Sequence, residues 1–320
     1  MSQGVQNQTL QSALKGRDLL ELNDYTPEEI RYLLDLAIEL KAKQKNGEIY
    51  QPLKGKTVGL IFEKSSTRTR VSFEVGTYQL GGHALFLSSA DIQIGRGETI
   101  ADTARVLSRY LDGIMIRTYG HNKVEELAKY ASVPVINGLS DAAHPCQVLA
   151  DFQTVLEHKG RLKGLKLAFV GDGNNMAHSL LLGGAKLGVH VAVAGPAGYE
   201  PDPAVVAEAQ AIGKETGAEI TVTRSPEEAV RDADILYTDV WASMGFEAEQ
   251  LAREAAFKDY QVNEELARLA KPDYLFLHCL PAHRGEEVSE GVIDGPNSVI
   301  FDQAENRLHA QKALMAALIG

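Results

Sequence analysis

The chain has 320 residues and a formal net charge of -11 at pH 7, with 43 acidic and 32 basic side chains. This length suits two α/β domains of about 150 residues each, and the acidic balance disfavours a general nucleic-acid-binding protein, which needs a basic face, although it permits a local basic pocket. No apolar run reaches the roughly 20 residues that cross a bilayer, no signal-peptide pattern opens the chain, and Cys146 and Cys279 are too few for a disulfide framework. We therefore expect a cytoplasmic protein with neither a membrane nor a nucleic-acid partner.

The first predicted helix begins at residues 26–29, which read Thr-Pro-Glu-Glu. This is a capping box with proline at the first helical position, and the helical pattern continues through IRYLLDLAIELKAKQ. The same pattern, as Ser-Pro-Glu-Glu, recurs at residues 225–228. The apolar runs KTVGLIF, HALFLSS, DGIMIRT and VPVIN are typical of buried parallel strands.

The second half of the chain continues with five further apolar runs, LKLAFVG, VHVAVAG, EITVTRS, ADILYTD and YLFLHCL. Strands that alternate with helices indicate βαβ units, so the predicted fold class is α/β, with two doubly wound parallel-sheet domains joined by interdomain helices. We place the domains at residues 1–152 and 153–303, joined through the stretch CQVLADFQTVLEHKG. Residues 304–320 are predicted to form a C-terminal helix that packs back on the first domain.

The stretch SSTRTR, residues 65–70, follows the predicted strand KTVGLIF and opens a helix. Backbone N–H groups at a helix N-terminus have no partners within the helix, and the helix dipole favours an anion there. Hydroxyl groups add donors, and the guanidinium of Arg68 can bind two phosphate oxygens. Ligands of open parallel sheets bind beyond the carboxyl ends of the strands, so we interpret the stretch as a phosphate site. The alternative is a capped helix with two surface arginines.

The stretch GDGNNM, residues 171–176, also follows a predicted strand and suggests a dinucleotide site. The GxGxxG fingerprint requires glycine where Met176 stands and an acidic residue about 20 residues later, and the sequence has neither. These departures weigh against a nicotinamide-dependent dehydrogenase. Two interpretations remain: a turn whose asparagines satisfy their own backbone, and a polar-ligand site that uses Asn174 and Asn175.

Two further strand ends carry polar residues. In HPCQ, His144 can donate to a developing oxyanion and Gln147 can accept from an amide, although a single loop histidine is usually structural. In DVWASMG, residues 239–245, Asp239 can bind an ammonium group and the following small residues can present backbone to a zwitterion; the alternative is an ordinary loop. The sequence has no HExxH or comparable spacing, so we expect no metal.

HCLP, residues 278–281, ends a strongly apolar strand and places Cys279 at the edge of the predicted sheet. A Cys–His protease is one interpretation, because His144, His278 and His283 are available. However, no nucleophile signature surrounds Cys279, and cysteine is also a small buried hydrophobe.

In chain order, STRTR, HPCQ, GDGNNM, DxxxSMG and HCLPxHRGEE resemble the aspartate/ornithine carbamoyltransferase family, and SMG with HCLP resembles its ornithine-specific members. The resemblance extends from the first capped helix to the ENR of the last helix. It implies an enzyme that transfers the carbamoyl group of carbamoyl phosphate to the side-chain amine of L-ornithine, giving L-citrulline and phosphate, without a cofactor. The reaction would serve arginine biosynthesis or run in reverse. A homotrimer with shared active sites, alone or in larger assemblies of trimers, is also implied.

The resemblance implies roles for individual residues. Those implied in binding carbamoyl phosphate are Ser66, Thr67, Arg68, Thr69, Gln93, Arg117, His144, Gln147, Cys279, Leu280 and Arg307, with Gln93 coming from the neighbouring subunit and Cys279 and Leu280 contributing backbone. Those implied in binding ornithine are Asn175, Asp239, Ser243 and Met244. Those implied in catalysis are Arg117, His144, Asp239 and Cys279.

The chemistry of the implied reaction requires a base. The side-chain amine of ornithine resembles that of lysine, with a pKa of about 10.4, and is protonated at neutral pH. We expect Asp239 and Cys279 to share the proton that leaves as the amine attacks, with no covalent enzyme intermediate. Arg117, Thr69 and His144 would then stabilise the oxyanion.

Two alternatives remain: an enzyme of this family that carbamoylates another amine, and a relative that has lost its catalytic activity. Aspartate carries an extra carboxylate, so a site for it would be expected to have arginines where this chain has Asp239 and SMG. Putrescine lacks the α-carboxylate that SMG is expected to bind. N-acylated ornithines stay open. A non-catalytic relative would be expected to lose Arg68, Arg117 or His144, and all three are present.

Overall fold

The structure, a computed structural model, describes residues 3–89, 92, 97–242 and 249–320. The chain divides into two compact units, with Met1–Gln153 and Glu305–Gly320 in unit 1 and Thr154–Ala304 in unit 2. Each unit contains a parallel sheet with helices, which confirms the predicted α/β class. Within the described ranges, no helix has both the length and the apolar character needed to cross a bilayer.

The elements that begin the chain are, in order, α1 (Gln3–Leu14), a 3₁₀ turn (Leu22–Asp24), α2 (Pro27–Lys45), β1 (Thr57–Phe62), α3 (Thr67–Gln79), β2 (His83–Ser88), α4 (Ile100–Leu107), β3 (Gly113–Arg117), α5 (His121–Tyr130), β4 (Val135–Leu139) and α6 (Pro145–Lys159). The four strands form one parallel sheet in the order β2-β1-β3-β4. The carboxyl ends of β1 and β3 are therefore neighbours, and Phe62 pairs with Arg117 there.

The remaining elements are β5 (Lys166–Val170), α7 (Asn175–Leu187), β6 (His190–Ala194), α8 (Pro203–Thr216), β7 (Ile220–Thr223), α9 (Pro226–Val230), β8 (Ile235–Thr238), α10 (Gln250–Phe257), α11 (Glu264–Ala267), β9 (Leu275–His278), α12 (Glu290–Ile293) and α13 (Ile300–Leu318). Their strands form a second parallel sheet in the order β7-β6-β5-β8-β9. All nine predicted strands are confirmed. The carboxyl ends of β8 and β9 are neighbours in this sheet, and Thr238 pairs with His278.

The central strands of each sheet are apolar at successive positions because they are buried on both faces. Val58 and Ile61 in β1 and Ile114 in β3 are fully buried, as are Ala168 in β5 and Phe276 in β9. Such central strands have no polar face, which gives the continuous apolar pattern of parallel sheets. The resulting rigid sheets position the polar loops at their carboxyl ends.

The predicted packing of the C-terminal helix on the first unit is confirmed by contacts between α13 and α3. A Cβ at Gly76 would lie 3.1 Å from the side chain of Met315, so glycine allows the two helices to approach closely. The side chain of Gln311 donates to Ser72 Oγ at 2.7 Å. α13 therefore brings its polar residues to the first turns of α3.

Two local predictions are wrong. α1 precedes the helix predicted to be the first; its sequence QGVQNQTLQSAL carries little apolar periodicity, and among residues 7–14 only Leu14 is buried. The capping box forms fully at Thr26 but only in part at Ser225. The Ser225 side chain accepts from the Glu228 N–H, whereas the Glu228 carboxylate accepts from the Thr223 hydroxyl instead.

Candidate functional site

The N-terminal turn of α3 lies directly after β1 and is capped as its sequence predicts. Ser66 Oγ accepts from the Thr69 N–H at 3.2 Å. The two arginines of the stretch differ in their surroundings. Arg70 is exposed, donates to Glu74 at 3.0 Å and stacks over the Phe86 ring, whereas Arg68 is only partly exposed and acts on the pKa of a buried histidine. The cap and the charged cluster therefore coexist.

Two buried arginines from distant parts of the chain meet Thr69. Thr69 Oγ1 accepts from Arg117 Nη1 at 3.5 Å and from Arg307 Nη2 at 3.2 Å. Arg307 Nη1 also donates to Gln147 Oε1 at 2.6 Å. All four residues are at most 4% exposed. The structure thus brings together α3, the end of β3, α6 and α13 at one buried polar cluster in unit 1.

His144 is buried beside this cluster. Its pKa lies well below the usual histidine value because burial disfavours the charged ring and because Arg307, Arg117 and Arg68 repel a further positive charge. The imidazole is therefore neutral at neutral pH, with one nitrogen that donates and one that accepts. The repulsion also shows that three guanidinium groups concentrate positive charge at this point of an acidic protein.

Three residues that the sequence analysis did not single out support the cluster. Gln147 Nε2 donates to Asp151 Oδ1 at 2.8 Å. Gln311 Oε1 accepts from Arg307 Nε at 3.1 Å, and Gln311 donates in turn to Ser72. Asp151 and Gln311 each lie four positions after their partner on a helix, a spacing that makes side chains neighbours. This spacing is the signal by which they can be found in the sequence.

Ion pairs connect the loops that carry these residues. Lys64 Nζ, which is nearly buried, lies 2.8 Å from Asp141 Oδ1, so the β1–α3 loop is tied to the loop after β4. Lys123 Nζ lies 2.9 Å from the Glu63 carboxylate, which ties the same loop to the start of α5. These links hold the donor groups in fixed positions, as electrostatic preorganisation requires.

In unit 2, an acid and a thiol meet at the ends of β8 and β9. Cys279 Sγ donates to Asp239 Oδ1 at 3.0 Å, and the same oxygen accepts from the Val240 N–H at 2.8 Å. Both ring nitrogens of His278 have other partners, since Nδ1 accepts from the Leu280 N–H at 2.9 Å and Nε2 lies 3.1 Å from Glu287. Within unit 2, Cys279 therefore has a carboxylate partner, which counts against a Cys–His dyad there.

The GDGNNM turn has structural reasons for its sequence. Asn174 caps α7, its side-chain oxygen accepting from the Met176 N–H at 2.9 Å. A Cβ at Gly173 would lie 2.2 Å from the backbone nitrogen of Pro201, so only glycine fits there. Asn174 Nδ2 also reaches Asp239 Oδ2 at 3.5 Å, while Asn175, partly exposed, begins α7. Both interpretations of the turn thus find support, and neither involves a dinucleotide.

Three of the predicted site residues, Gln93, Ser243 and Met244, lie outside the residues that the structure describes. Thr67, the first residue of α3, is exposed. Leu280 follows Cys279 with a backbone φ of +57°. The other predicted residues fall into two sets, a cationic one in unit 1 and the Asp239–Cys279 pair with its neighbours in unit 2.

Among the residues that the structure describes, two groups of side chains have donor atoms close enough to ligate a metal ion. In the first, Asp239, His278 and Cys279 have donor atoms within 4.8 Å of one another, and in the second the same holds for His283, Glu286 and Glu287. Hydrogen bonds already occupy the first group. The absence of a metal requirement stays a prediction.

Family models match almost the whole chain. The carbamoyl-phosphate-binding domain of the aspartate/ornithine carbamoyltransferases matches residues 17–157. The Asp/Orn-binding domain of the same family matches residues 163–318. The first match contains the cationic cluster residues up to Gln147, and the second contains Asp239, Cys279 and Arg307.

Individual proteins are similar over nearly their full lengths. Ornithine carbamoyltransferase from Anoxybacillus flavithermus is 67% identical, covering 98% of this chain and 100% of its own. Anabolic ornithine carbamoyltransferase from Pyrococcus furiosus is 60% identical over 96% of this chain and 98% of its own. The solved structure of ornithine carbamoyltransferase from Pyrococcus furiosus superposes with a TM-score of 0.94 at 60% identity, covering 96% of this chain and 98% of that one.

Proposed function

This chain belongs to the aspartate/ornithine carbamoyltransferase family, and we propose that it transfers the carbamoyl group of carbamoyl phosphate to the side-chain amine of L-ornithine. The products are L-citrulline and phosphate. Relatives that are 60–67% identical over nearly the whole chain carry the name of this activity. The relative named anabolic supports the biosynthetic direction for this chain as well.

The observation that carries the proposal is the convergence of Arg68, Arg117 and Arg307 beside the N-terminal turn of α3. Carbamoyl phosphate is a small dianion, and unpaired N–H groups at a helix N-terminus bind such a group well. We assign the phosphate to these amides, to the hydroxyls of Ser66 and Thr67, and to the three guanidiniums. In a chain of net charge -11, this local concentration of positive charge needs an anion to explain it.

The carbonyl oxygen of the substrate is assigned to Thr69, Arg117 and His144. A neutral imidazole donates one N–H without repelling the nearby guanidiniums, and the depressed pKa of His144 keeps it neutral at working pH. Donors that are fixed before the reaction stabilise the oxyanion that develops on this atom. Gln147 and the backbone of Cys279 and Leu280 are assigned to the carbamoyl amide.

The amine is assigned to Asp239, with Cys279 as its partner. A carboxylate attracts the ammonium form of the ornithine side chain, and it is the wrong charge for the second carboxylate of aspartate. The hydrogen bond between Cys279 Sγ and Asp239 Oδ1 gives the departing proton a path over two groups. We assign the α-amino and α-carboxylate groups of ornithine to Asn175, Ser243 and Met244.

The reaction then proceeds without an enzyme-bound covalent intermediate. The deprotonated amine nitrogen attacks the carbamoyl carbon, forming the new C–N bond and placing a negative charge on the carbonyl oxygen. The C–O bond to phosphate breaks, and phosphate leaves with the bonding electron pair while Arg68 and the α3 amides neutralise its charge. The Asp239–Cys279 pair takes the proton that the ammonium group loses before the attack. The second nitrogen proton, lost as the C–N bond becomes an amide, leaves on the phosphate as HPO₄²⁻, and the negative charge on the oxygen returns to the C=O bond.

A colorimetric assay of the ureido product, which is citrulline when ornithine is the acceptor, tests the proposal. The purified protein is incubated with carbamoyl phosphate and, in parallel, with L-ornithine, aspartate, putrescine or N-acetylornithine. We expect turnover with ornithine, and at least about 100-fold lower kcat/KM with each of the others, because each lacks a charge or hydrogen-bonding group that the site was built to meet. Higher activity with another amine would contradict the proposal. Repeating the assay after dialysis against a chelator tests the predicted independence from metal, and we expect no loss.

The proposed assembly is a homotrimer, supported by an exposed apolar face in unit 1. Val71, Val75 and Tyr78 are 50%, 37% and 78% exposed along one side of α3, and Leu85 of the adjacent edge strand β2 is 41% exposed. Their spacing of three and four residues places the α3 side chains on one stripe, and contiguous exposed apolar surface marks an interaction site. We propose that a second copy of this chain covers this face.

Light scattering after size exclusion measures the assembly directly. We expect three times the 34.7-kDa mass of the chain for the parent protein, and smaller species for Val75→Lys, which places a charge in the stripe. Glu28→Lys, a change on the exposed part of α2, serves as control and is expected to leave the mass unchanged. A monomeric parent protein would contradict the trimer. The cytoplasmic location stays a prediction.

A further inference from the structure

The backbone that follows β9 adopts a conformation that its residue type disfavours. Leu280 has φ of +57°, where the Cβ of a non-glycine residue crowds its own backbone. Such a conformation persists only where the surroundings hold it in place, and it is found most often at functional sites.

His278 holds the Leu280 amide directly. The Leu280 N–H donates to His278 Nδ1 at 2.9 Å, and His278 is 1% exposed, so water cannot replace this bond. Because Nδ1 accepts, the proton of the neutral ring must lie on Nε2. The bond therefore depends on one tautomer and one orientation of the imidazole.

Glu287 sets both the tautomer and the orientation. Its Oε1 atom lies 3.1 Å from His278 Nε2 and also accepts from the His283 N–H at 2.7 Å. Glu287 is completely buried, and its Oε2 atom has no hydrogen-bond partner among the described residues. A buried carboxylate with one unsatisfied oxygen is costly. Stability alone does not explain this arrangement, since a fully apolar contact would serve stability better.

We propose that His278 and Glu287 are positioning residues that fix the backbone of Cys279 and Leu280 for the carbamoyl amide. This inference rests on the proposed function, which assigns that backbone to the substrate. The ordered chain of contacts runs from Glu287 to the His278 ring and on to the Leu280 N–H. The same contacts orient Cys279, whose thiol donates to Asp239 Oδ1. His278 is not an acid or base in the reaction, because both of its nitrogens are already engaged.

Two substitutions of His278 separate these roles. In His278→Asn, the amide oxygen takes about the place of Nδ1 and can accept from the Leu280 N–H. In His278→Gln, the amide nitrogen takes about the place of Nε2 and can donate to Glu287, but the Leu280 N–H loses its acceptor. Glu287→Gln is a third variant, which keeps a side-chain oxygen that can accept from both His278 Nε2 and the His283 N–H.

Steady-state kinetics of citrulline formation is the test, with thermal unfolding of each variant to establish that it is folded at the assay temperature. We expect His278→Gln to lower kcat about 100-fold, the usual cost of a misplaced binding group. We expect His278→Asn and Glu287→Gln to stay within about tenfold of the parent protein. The pH dependence of kcat should keep its shape in every folded variant, which a change of acid or base would alter.

The outcomes separate this inference from the proposed function. Equal loss in His278→Asn and His278→Gln, or the disappearance of one limb of the pH profile, would overturn positioning in favour of acid–base chemistry. Full activity in His278→Gln, with an active parent protein, would overturn the inference and leave the proposed function intact. A parent protein that forms no citrulline from ornithine overturns the proposed function, and the inference with it.

Discussion

The buried cluster at the start of α3 and the strand-end pair Asp239–Cys279 differ in charge, in keeping with the differently charged substrate groups that we assign to them. The α3 cluster consists of cationic and neutral donors, nearly all buried and hydrogen-bonded to one another before any ligand arrives. The strand-end pair is an acid beside a thiol. A dianion needs donors that are already in place, whereas an ammonium group needs an acceptor for its charge and then for its proton. Changes in the first region should therefore affect binding of the phosphate, and changes in the second should affect turnover.

The largest effect is expected for Arg68→Gln, which removes a charge that we assign to the phosphate and keeps the helix propensity. We expect kcat/KM for carbamoyl phosphate to fall about 1,000-fold, near the upper end for the loss of one charged donor. The midpoint of thermal unfolding should not change, because Arg68 is partly exposed. Arg70→Gln is the matched control, two positions along the same helix, and should stay within about twofold of the parent value. Equal effects of the two changes would contradict a specific role for Arg68.

A smaller effect, about 100-fold on kcat, is expected for Asp239→Asn, because the amide cannot take the proton of the amine. The change is isosteric and retains an oxygen for the Val240 N–H. Calorimetric titration with inorganic phosphate should give the same Kd as for the parent protein. Weaker phosphate binding together with an unchanged kcat would erase the distinction between the two regions.

Cys279→Ser tests whether the thiol shares a proton with Asp239 or acts as a nucleophile. Serine keeps a donor to Asp239 with a shorter and less acidic group, so we expect kcat and the affinity for ornithine to fall about tenfold each, with clear residual activity. Mass spectrometry of the parent protein during turnover should show no carbamoyl adduct on Cys279. Complete loss of activity, together with such an adduct in the parent protein, would restore a nucleophilic role for the thiol.

The smallest effect concerns acid stability. Since the pKa of His144 lies well below the usual value, the unfolded chain takes up a proton below about pH 6.5 that the folded chain does not. The free energy of unfolding therefore falls as the pH drops from about 6.5 towards the folded pKa, by up to about 1.4 kcal/mol per pH unit for this group.

In denaturant titrations between pH 5 and 6.5, His144→Asn should remove the contribution of His144 to the change of the unfolding free energy with pH. The upper limit of this window is the pKa of histidine in the unfolded chain, about 6.5. His309, whose pKa is lowered to about 4 chiefly by burial, has the same sign and remains in the variant, so part of the slope should persist. An identical slope in both proteins would mean that His144 is protonated in the folded state.

The strands and helix caps are predicted well because their signals lie within a few neighbouring residues. A central strand run such as KTVGLIF is apolar at successive positions since both of its faces are covered, and the caps at Thr26 and Ser66 depend on neighbours three residues away. α1 escaped prediction because among residues 7–14 only Leu14 is buried, and the backbone just after it is fixed by a distant contact, with the Gly16 N–H donating to the Leu318 carbonyl. No pattern within residues 3–14 records such a contact.

The site was less predictable from local pattern. Thr69 and Arg307 are 238 positions apart, and Gln147 and Arg307 are 160 apart, so only the fold brings them together. The residues themselves suggested a hydroxyl donor at Thr69 and an acceptor at Gln147, whereas Arg307 was assigned from family resemblance alone. Asp151 and Gln311 were missed, although each lies four residues from its partner on one helix. The role of Glu287 depends on a buried contact with His278 that the motif HRGEE does not reveal.

The central claim is that the phosphate of the carbamoyl donor binds at the N-terminal turn of α3. A crystal structure of the protein with phosphonoacetamide, a stable analogue of carbamoyl phosphate, tests it most directly. We predict the phosphonate within hydrogen-bonding distance of the α3 amides and of the Arg68 guanidinium, with the amide end near His144 and Gln147. Phosphonate bound elsewhere, in crystals of protein that is active in solution, would contradict the account.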